Sequence, residues 1–163
     1  MDKSIGTHVV GVYGGHTMTD LYETASIFRA AIQEAIKCGD ITDINMRNFP
    51  SGACGYASEL LQRYLWEKGV YTLYISGQYG HGWRAQNHAW LETRDRIVID
   101  ITGDQFSNRD PCFSIPVYVG PRKNGFHDMF VTDKPVVYHK NDDPLSSNRK
   151  SEERYNAILR HLK

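Results

Sequence analysis

The spacing of apolar residues predicts three helices in this chain. Between Thr19 and Gly39 apolar residues recur at intervals of three and four, with Thr19 placed to cap the helix and Gly39 to end it. A second apolar stripe covers residues 54–68, directly after a turn that contains Pro and Gly. A third stripe covers roughly residues 151–162. The chain is therefore expected to begin and end with helices.

Segments rich in β-branched residues lie between the second and third helices and predict an antiparallel sheet. The predicted strands cover residues 70–76, 87–92, 96–101, 115–119 and 135–139. Residues 140–150 are charged and are typical of a linker. Helices followed by neighbouring strands indicate an α+β fold.

The second and third predicted strands form a hairpin that joins a histidine to a carboxylate. A three-residue loop over residues 93–95 places Glu92 opposite Arg96 and buries one wholly apolar face. His88 and Asp100 then lie opposite each other on the other face. A slip of one residue would send the two side chains to opposite faces. We therefore expect Asp100 to orient the His88 ring.

Cys54 stands at the start of the second predicted helix, after Pro50 and Gly52. The positive end of the helix dipole and its free N–H groups favour a thiolate there, and they can also hold a developing oxyanion. The pattern predicts Cys54 as the nucleophile, His88 as its base and Asp100 as the orienting acid. The alternative interpretation is a buried structural cysteine. Asp104 is a rival for the acid.

Gly52, Cys54, the His88-Ala89-Trp90 strand and Asp100 together resemble the transglutaminase-like branch of the papain-like cysteine enzymes. The match covers about residues 48–106, and Ile101 departs from the family's Asp-Pro-Thr pattern. The resemblance implies a papain-like core, with a Cys-bearing helix packed on an antiparallel sheet, and amide chemistry through an acyl-enzyme. We expect one domain over residues 1–163, with its core at about 48–139 and a terminal helix at about 151–162.

Four further residues are weaker candidates. The resemblance implies that Asn48, six residues before the cysteine, completes an oxyanion hole, although it equally fits a loop-shaping role. Tyr56 follows the nucleophile closely, and Tyr79 and Trp83 stand in a loop rich in Gly and aromatic residues that precedes the His88 strand. All three are candidate substrate-binding residues, and packing or simple exposure is the alternative for each.

The charge of the chain limits the classes of partner that the sequence predicts. Lys and Arg number 19, as do Asp and Glu, and the pI is about 7.0, so neither nucleic acid nor an anionic membrane is an expected partner. The opening residues lack the apolar stretch of a signal peptide, which predicts a cytoplasmic protein.

The three cysteines form neither a disulfide framework nor a CxxC pair. No cofactor and no metal are predicted, although Cys54, His88 and Asp100 are zinc-ligand types.

The favoured function is a cysteine-dependent amide hydrolase, either a protease or an amidase, or an acyl transferase. Its expected substrate is a protein, a peptide or another amide. Two alternatives stay open at this point. One is a binding module on an inactive papain-like scaffold, and the other is an acyltransferase similar to the arylamine N-acetyltransferases.

Overall fold

The computed structural model describes residues 15–139 and 149–163. The opening segment judged for a signal peptide and most of the predicted linker lie outside these ranges. Within them, no helix combines the length and the apolar character that a membrane span requires. The described ranges contain three helices and an antiparallel sheet, which confirms the α+β prediction.

The three predicted helices are present with small changes at their ends: α1 is Met18–Lys37, α2 is Cys54–Glu67 and α3 is Arg149–Arg160. The prediction that Thr19 caps α1 is wrong. Thr17 is the N-cap, and it forms a capping box with Asp20, whose carboxylate accepts the Thr17 backbone N–H at 2.7 Å. Gly39 ends α1 as predicted, with a φ of 81° that favours glycine.

Among the described residues the sheet has six strands. Five follow the order β4-β3-β2-β1-β5, and β6 also pairs with β1. The strands are β1 Leu73–Tyr79, β2 Gln86–Glu92, β3 Ile97–Asp100, β4 Tyr118–Pro121, β5 Val131–Thr132 and β6 Val136–Val137. The first strand begins three residues later than predicted because Val70 donates its N–H to the Leu65 carbonyl and so closes helix α2. The short strand β5 was not predicted.

The register of the β2–β3 hairpin differs by two residues from the predicted one. Leu91 pairs with Ile99 rather than with Ile97, and Glu92 does not face Arg96. Arg96 has a φ of 61°, so it ends the loop in the left-handed conformation, and the turn lies one residue later than predicted. A shift of two keeps every side chain on its predicted face, since side chains alternate with a period of two.

Each face of the sheet packs against its own core. Leu91 and Ile99 lie on the face that the helices cover, in the larger cluster with side chains of α1, α2 and α3. Trp90 and Val98 lie on the other face, in a smaller cluster with aromatic side chains of the loops after β3 and β4. His88 lies on the same face as Trp90, because the two residues are two positions apart in β2 and side chains alternate between faces.

Arg29 ties helix α1 to the chain that follows β3. Its guanidinium donates to the Ile101 carbonyl at 2.6 Å and to the Pro116 carbonyl at 3.0 Å, and it binds the Asp104 carboxylate through both terminal nitrogens at 2.8 Å. Asp104 is therefore engaged by Arg29, which leaves Asp100 as the acid that contacts the histidine. The contact also fixes the backbone directly after Asp100.

Replacing Arg29 by Met should destabilise the protein strongly, because Asp104 would keep a charge without its buried partner. We expect a loss of about 3–5 kcal/mol in the free energy of unfolding, measured by denaturant titration. Arg149→Met is the matched control, since Arg149 pairs with Glu153 on the exposed surface of α3. That change should cost no more than about 0.5 kcal/mol. Equal losses in the two variants would contradict this account of Arg29.

Candidate active site

Cys54 is the first residue of helix α2, and it is partly buried. The N-cap is Ala53, and no side chain caps this end of the helix. Gly52, at a φ of 69°, belongs to the turn that leads into it. The sulfur therefore lies at the positive end of the helix dipole, beside backbone N–H groups that no side chain has capped.

His88 is buried, and its ring is held by both hydrogen bonding and packing. Its Nε2 lies 2.7 Å from the Oδ2 atom of Asp100. Because of the shifted register, His88 reaches Asp100 diagonally across the hairpin rather than directly opposite. Four aromatic rings surround the imidazole with centroids 5.0 to 5.9 Å away, from Trp90, Phe106, Phe126 and Phe130.

Asp100 is a buried carboxylate with both oxygens engaged. Oδ1 accepts the backbone N–H of Thr102 at 2.9 Å and its hydroxyl at 3.3 Å. Oδ2 lies 2.7 Å from His88 Nε2 and 2.8 Å from Nε2 of a second histidine, His127. Gly103 permits this arrangement, because a Cβ at that position would lie 2.9 Å from Oδ2. Four hydrogen bonds thus stabilise the buried charge.

The sulfur of Cys54 reaches the His88 ring where the sheet opens. Strand β3 pairs with β2 only at Leu91 and Glu92, so the backbone of Ala89 has no β3 partner. The Ala89 carbonyl accepts the Ser58 hydroxyl of α2 at 3.2 Å. Cys54 lies close enough to His88 and to the Ala89 backbone for both to lower the pKa of its thiol, and all three residues line one groove. The first residue of helix α2 therefore lies near the histidine, beside the stretch of β2 that β3 does not pair.

The three groups shift one another's pKa values. Burial opposes ionisation of Cys54, but the hydrogen bond and the charge of His88 outweigh it and lower the thiol pKa. Burial also disfavours the charged His88 ring, yet the Asp100 charge and its hydrogen bond, together with Cys54, raise the His88 pKa to about 9. Burial alone would raise the pKa of Asp100, but both imidazoles hold it well below its usual range. These directions favour a thiolate beside an imidazolium.

Gln105 is a site residue that the sequence did not predict. It lies in a 3₁₀ turn, Gly103–Phe106, which the contact between Arg29 and Asp104 anchors. Its Nε2 is 3.2 Å from His88 Nδ1, and the Gln105 side chain also lies close enough to Cys54 to lower the pKa of the thiol. A polar residue five positions after Asp100 is the signal in the sequence, but only the folded turn brings its amide to the sulfur.

Asn48, the residue expected to complete an oxyanion hole, is exposed. Its backbone carbonyl accepts the N–H of Ser51 at 2.9 Å, which fits the loop-shaping alternative. Neither its side chain nor that of Gln105 lines the groove beside Cys54. Only the Gln105 amide acts on the Cys54 thiol, so it is the better placed of the two to hold an oxyanion. The role of Asn48 stays a prediction.

The three aromatic candidates for substrate binding lie outside the groove that contains Cys54. The Arg154 guanidinium covers the Tyr56 ring at 4.6 Å. Tyr79 packs at 6.0 Å from Phe130, in the smaller core. Trp83 is 88% exposed. None of the three lines the groove that contains Cys54 and His88. Their proposed roles therefore require a substrate that extends beyond this groove.

A groove of about 290 Å³ opens on Cys54 and His88. Strands β1 and β2 and the start of α2 form its walls, and its lining is Cys54, Gly55, Tyr74, Ser76, Gly77, Gln78, Asn87, His88, Ala89 and Asp133. Asp133 is exposed, and its carboxylate accepts the Ser76 hydroxyl at 2.9 Å. Among the described residues that line the groove there is one carboxylate and no lysine or arginine. Its charge therefore favours a neutral or cationic ligand.

His127 completes a cluster of metal-ligand types with His88 and Asp100, whose ligand atoms lie within 4.8 Å of one another. The Asn124 Oδ1 atom accepts two backbone N–H groups, so its Nδ2 must face His127 Nδ1, at 2.7 Å. An amide donor at Nδ1 requires the ring proton to be on Nε2, whereas a metal ligand must be unprotonated. The cluster therefore fits hydrogen bonding and not metal binding.

The chain was compared with protein-family models, with curated proteins and with solved structures, and none matches it. The chemistry of the candidate site is thus inferred from its residues. Its central features are the sulfur at a helix N-terminus, the imidazole that it contacts and the buried carboxylate behind that imidazole. This is the arrangement of an activated nucleophile with its base and orienting group.

The lowered pKa of Cys54 predicts selective alkylation in mildly acidic solution. At about pH 6.5 iodoacetamide should label Cys54 faster than Cys38, although Cys38 is more exposed, because a hydrogen bond to Glu34 raises the Cys38 pKa. The rate at Cys54 should rise with pH to a plateau below the range of a free thiol. Peptide mass spectrometry measures both sites in one sample.

His88→Ala should lower the rate at Cys54 by about 10-fold at that pH and move its midpoint upward, since burial then raises the thiol pKa without compensation. Cys38 serves as the internal control and should not change. Labelling of Cys54 that is as slow as that of Cys38, in the unaltered protein, would contradict an ionised sulfur.

Proposed function

We propose that this protein is a cysteine-dependent amide hydrolase that acts through a thioester acyl-enzyme. The observation that carries the proposal is that Cys54 and His88 line the same open groove, with the buried Asp100 carboxylate 2.7 Å from Nε2 of that ring. His88 Nε2 is engaged by Asp100, so Nδ1 is the nitrogen that serves the sulfur. Peptides, proteins and smaller amides are the proposed substrates.

In the first step the Cys54 thiol proton moves to His88 Nδ1, and the thiolate adds to the substrate carbonyl carbon. The carbonyl oxygen becomes an oxyanion, with the Cys54 backbone N–H and the Gln105 amide as its proposed donors. The C–N bond breaks as the His88 imidazolium gives its proton to the leaving amine. Water then gives a proton to His88 and attacks the thioester, which releases the acid and the free thiol. Asp100 remains charged throughout.

Two features support a papain-like arrangement of the core. The nucleophile stands at the start of a helix, α2, which packs against the central strands of an antiparallel sheet. The base comes from β2 and the acid from the end of β3, in the order Cys, His, Asp along the chain. This order and placement agree with what the family resemblance implies.

Reaction with p-nitrophenyl acetate tests the proposal without a known substrate. We expect a burst of p-nitrophenolate and an acetyl group on Cys54, detected by peptide mass spectrometry. Cys54→Ala should abolish both, and Asp100→Asn should slow acylation by about 100-fold or more, because the His88 ring loses its orienting charge. Cys112→Ala, at an exposed free cysteine, is the matched control.

The fate of the acyl group separates the remaining functions. Loss of the acetyl group in water alone supports a hydrolase, whereas loss that requires an added amine supports a transferase. Acylation by acetyl-CoA would favour the arylamine N-acetyltransferase alternative. Absence of any acyl-enzyme at Cys54 would contradict the proposal and favour the inactive binding module.

The carboxylate of the groove predicts a preference for cationic groups near the sulfur. The measured quantity is the rate of Cys54 modification by the cationic aminoethyl methanethiosulfonate divided by the rate with the anionic sulfonatoethyl reagent. This ratio should be about threefold higher in the unaltered protein than in Asp133→Asn. Asp95→Asn is the matched control, because Asp95 is exposed on the β2–β3 loop and outside the groove. The ratio should fall toward that of the Asp133 variant at high salt. An unchanged ratio in Asp133→Asn would refute this preference.

A further inference from the structure

His127 is a buried histidine that the triad does not include. It lies in the loop between β4 and β5, and its side chain is fully enclosed. Its Nε2 is 2.8 Å from Asp100 Oδ2, the same oxygen that His88 Nε2 approaches at 2.7 Å. Two imidazole rings therefore share one carboxylate oxygen.

Asn124 determines which nitrogen of His127 carries the proton. Its Oδ1 accepts the backbone N–H groups of Phe126 and His127, each at 2.9 Å. Its Nδ2 donates to the Pro121 carbonyl at 3.1 Å and to His127 Nδ1 at 2.7 Å. Every donor and acceptor of the amide is thus engaged, and a flip would break all four contacts. His127 is held as the neutral ring with its proton on Nε2.

The other surroundings of His127 are mainly aromatic. Its titratable contacts are Asp100 on β3, His88 on β2 and Tyr118 on β4, whose ring stacks on the imidazole at 5.4 Å. Asp128 follows in the chain, and its carboxylate accepts the N–H of Gly125. The remaining ring contacts are Trp90, Phe113 and Phe126. A second proton on Nδ1 would face the Asn124 amide and lack an acceptor.

We propose that His127, held as a neutral Nε2–H donor by Asn124, is a positioning residue. It fixes Asp100, and it weakens the electrostatic attraction between Asp100 Oδ2 and the His88 imidazolium. This inference rests on the proposed function for its effect on Cys54, but the state of His127 can be measured without any reaction.

The physical basis is competition for one oxygen. A carboxylate oxygen that accepts a hydrogen bond from His127 has less negative charge to offer His88. A weaker attraction to Asp100 lowers the pKa of His88. The ring can then both accept the Cys54 proton and give it up to the leaving amine. A general acid–base is most effective when its pKa is near the working pH, and the His88 pKa of about 9 already lies above neutrality.

Two substitutions separate this role from simple packing. His127→Phe keeps an aromatic ring but removes the donor, whereas His127→Gln keeps an N–H donor of similar reach. In the Phe variant the pH midpoint of Cys54 alkylation should fall by about 0.5 to 1 unit, because the freed Asp100 oxygen favours the His88 imidazolium. The Gln variant should keep the midpoint within about 0.2 units of the unaltered protein. An unchanged or higher midpoint in the folded Phe variant would overturn the proposal.

Nuclear magnetic resonance of the imidazole nitrogens in the unaltered protein gives an independent test, which stands even where the Phe variant fails to fold. His127 should carry its proton on Nε2 at neutral pH. A proton on Nδ1 would refute the proposal. The same spectra of Cys54→Ala report on His127 without the charge of the sulfur. Failure of the proposed function would appear as an unreactive Cys54, with these signals unaffected.

Discussion

The buried Asp100 carboxylate is the constraint on which the candidate site depends. An isolated charge in this position would be very costly, so the chain surrounds it with two imidazole N–H groups, a backbone N–H and a hydroxyl. The four donors come from three parts of the fold: strand β2, the loop after β4 and the turn at Thr102, which supplies two of them. The charge therefore holds together segments that lie far apart in the sequence, and the orientation of His88 follows from it.

The sheet and helix α2 bring the sulfur to this charged centre. β3 pairs with β2 at only two residues, so the Ala89 backbone is free of β3, and its carbonyl accepts the Ser58 hydroxyl of α2 instead. The chain after β3 then turns back toward the site, where Arg29 holds it and the Gln105 amide lies 3.2 Å from His88 Nδ1. The early end of the β2–β3 pairing thus leaves the backbone near His88 available to α2.

Sequence patterns identified the local features of the site and missed those that depend on loops. The face shared by His88 and Asp100 was predictable, because a side-chain period of two survives a register error of two residues. The register itself was not, since it depends on Arg96 adopting a positive φ. Gln105 and His127 were missed because no periodicity connects a loop residue to a site distant in sequence. The role of Asn124 was hidden for the same reason, as a side chain in an Asn-Gly turn usually serves only the turn.

The shared oxygen of Asp100 explains how two histidines can serve one acid without competing for the same proton. The Asn124 amide, held by four contacts, points a donor at His127 Nδ1. The Gln105 amide also approaches His88 Nδ1, but its Oε1 accepts a single long hydrogen bond, from Gly52 at 3.4 Å, so this amide is less firmly held. The two rings thus differ in how rigidly an amide faces the outer nitrogen and in the sulfur beside His88. In the proposed reaction the proton would move only between Cys54 and His88, while His127 keeps its hydrogen bond to the carboxylate behind them.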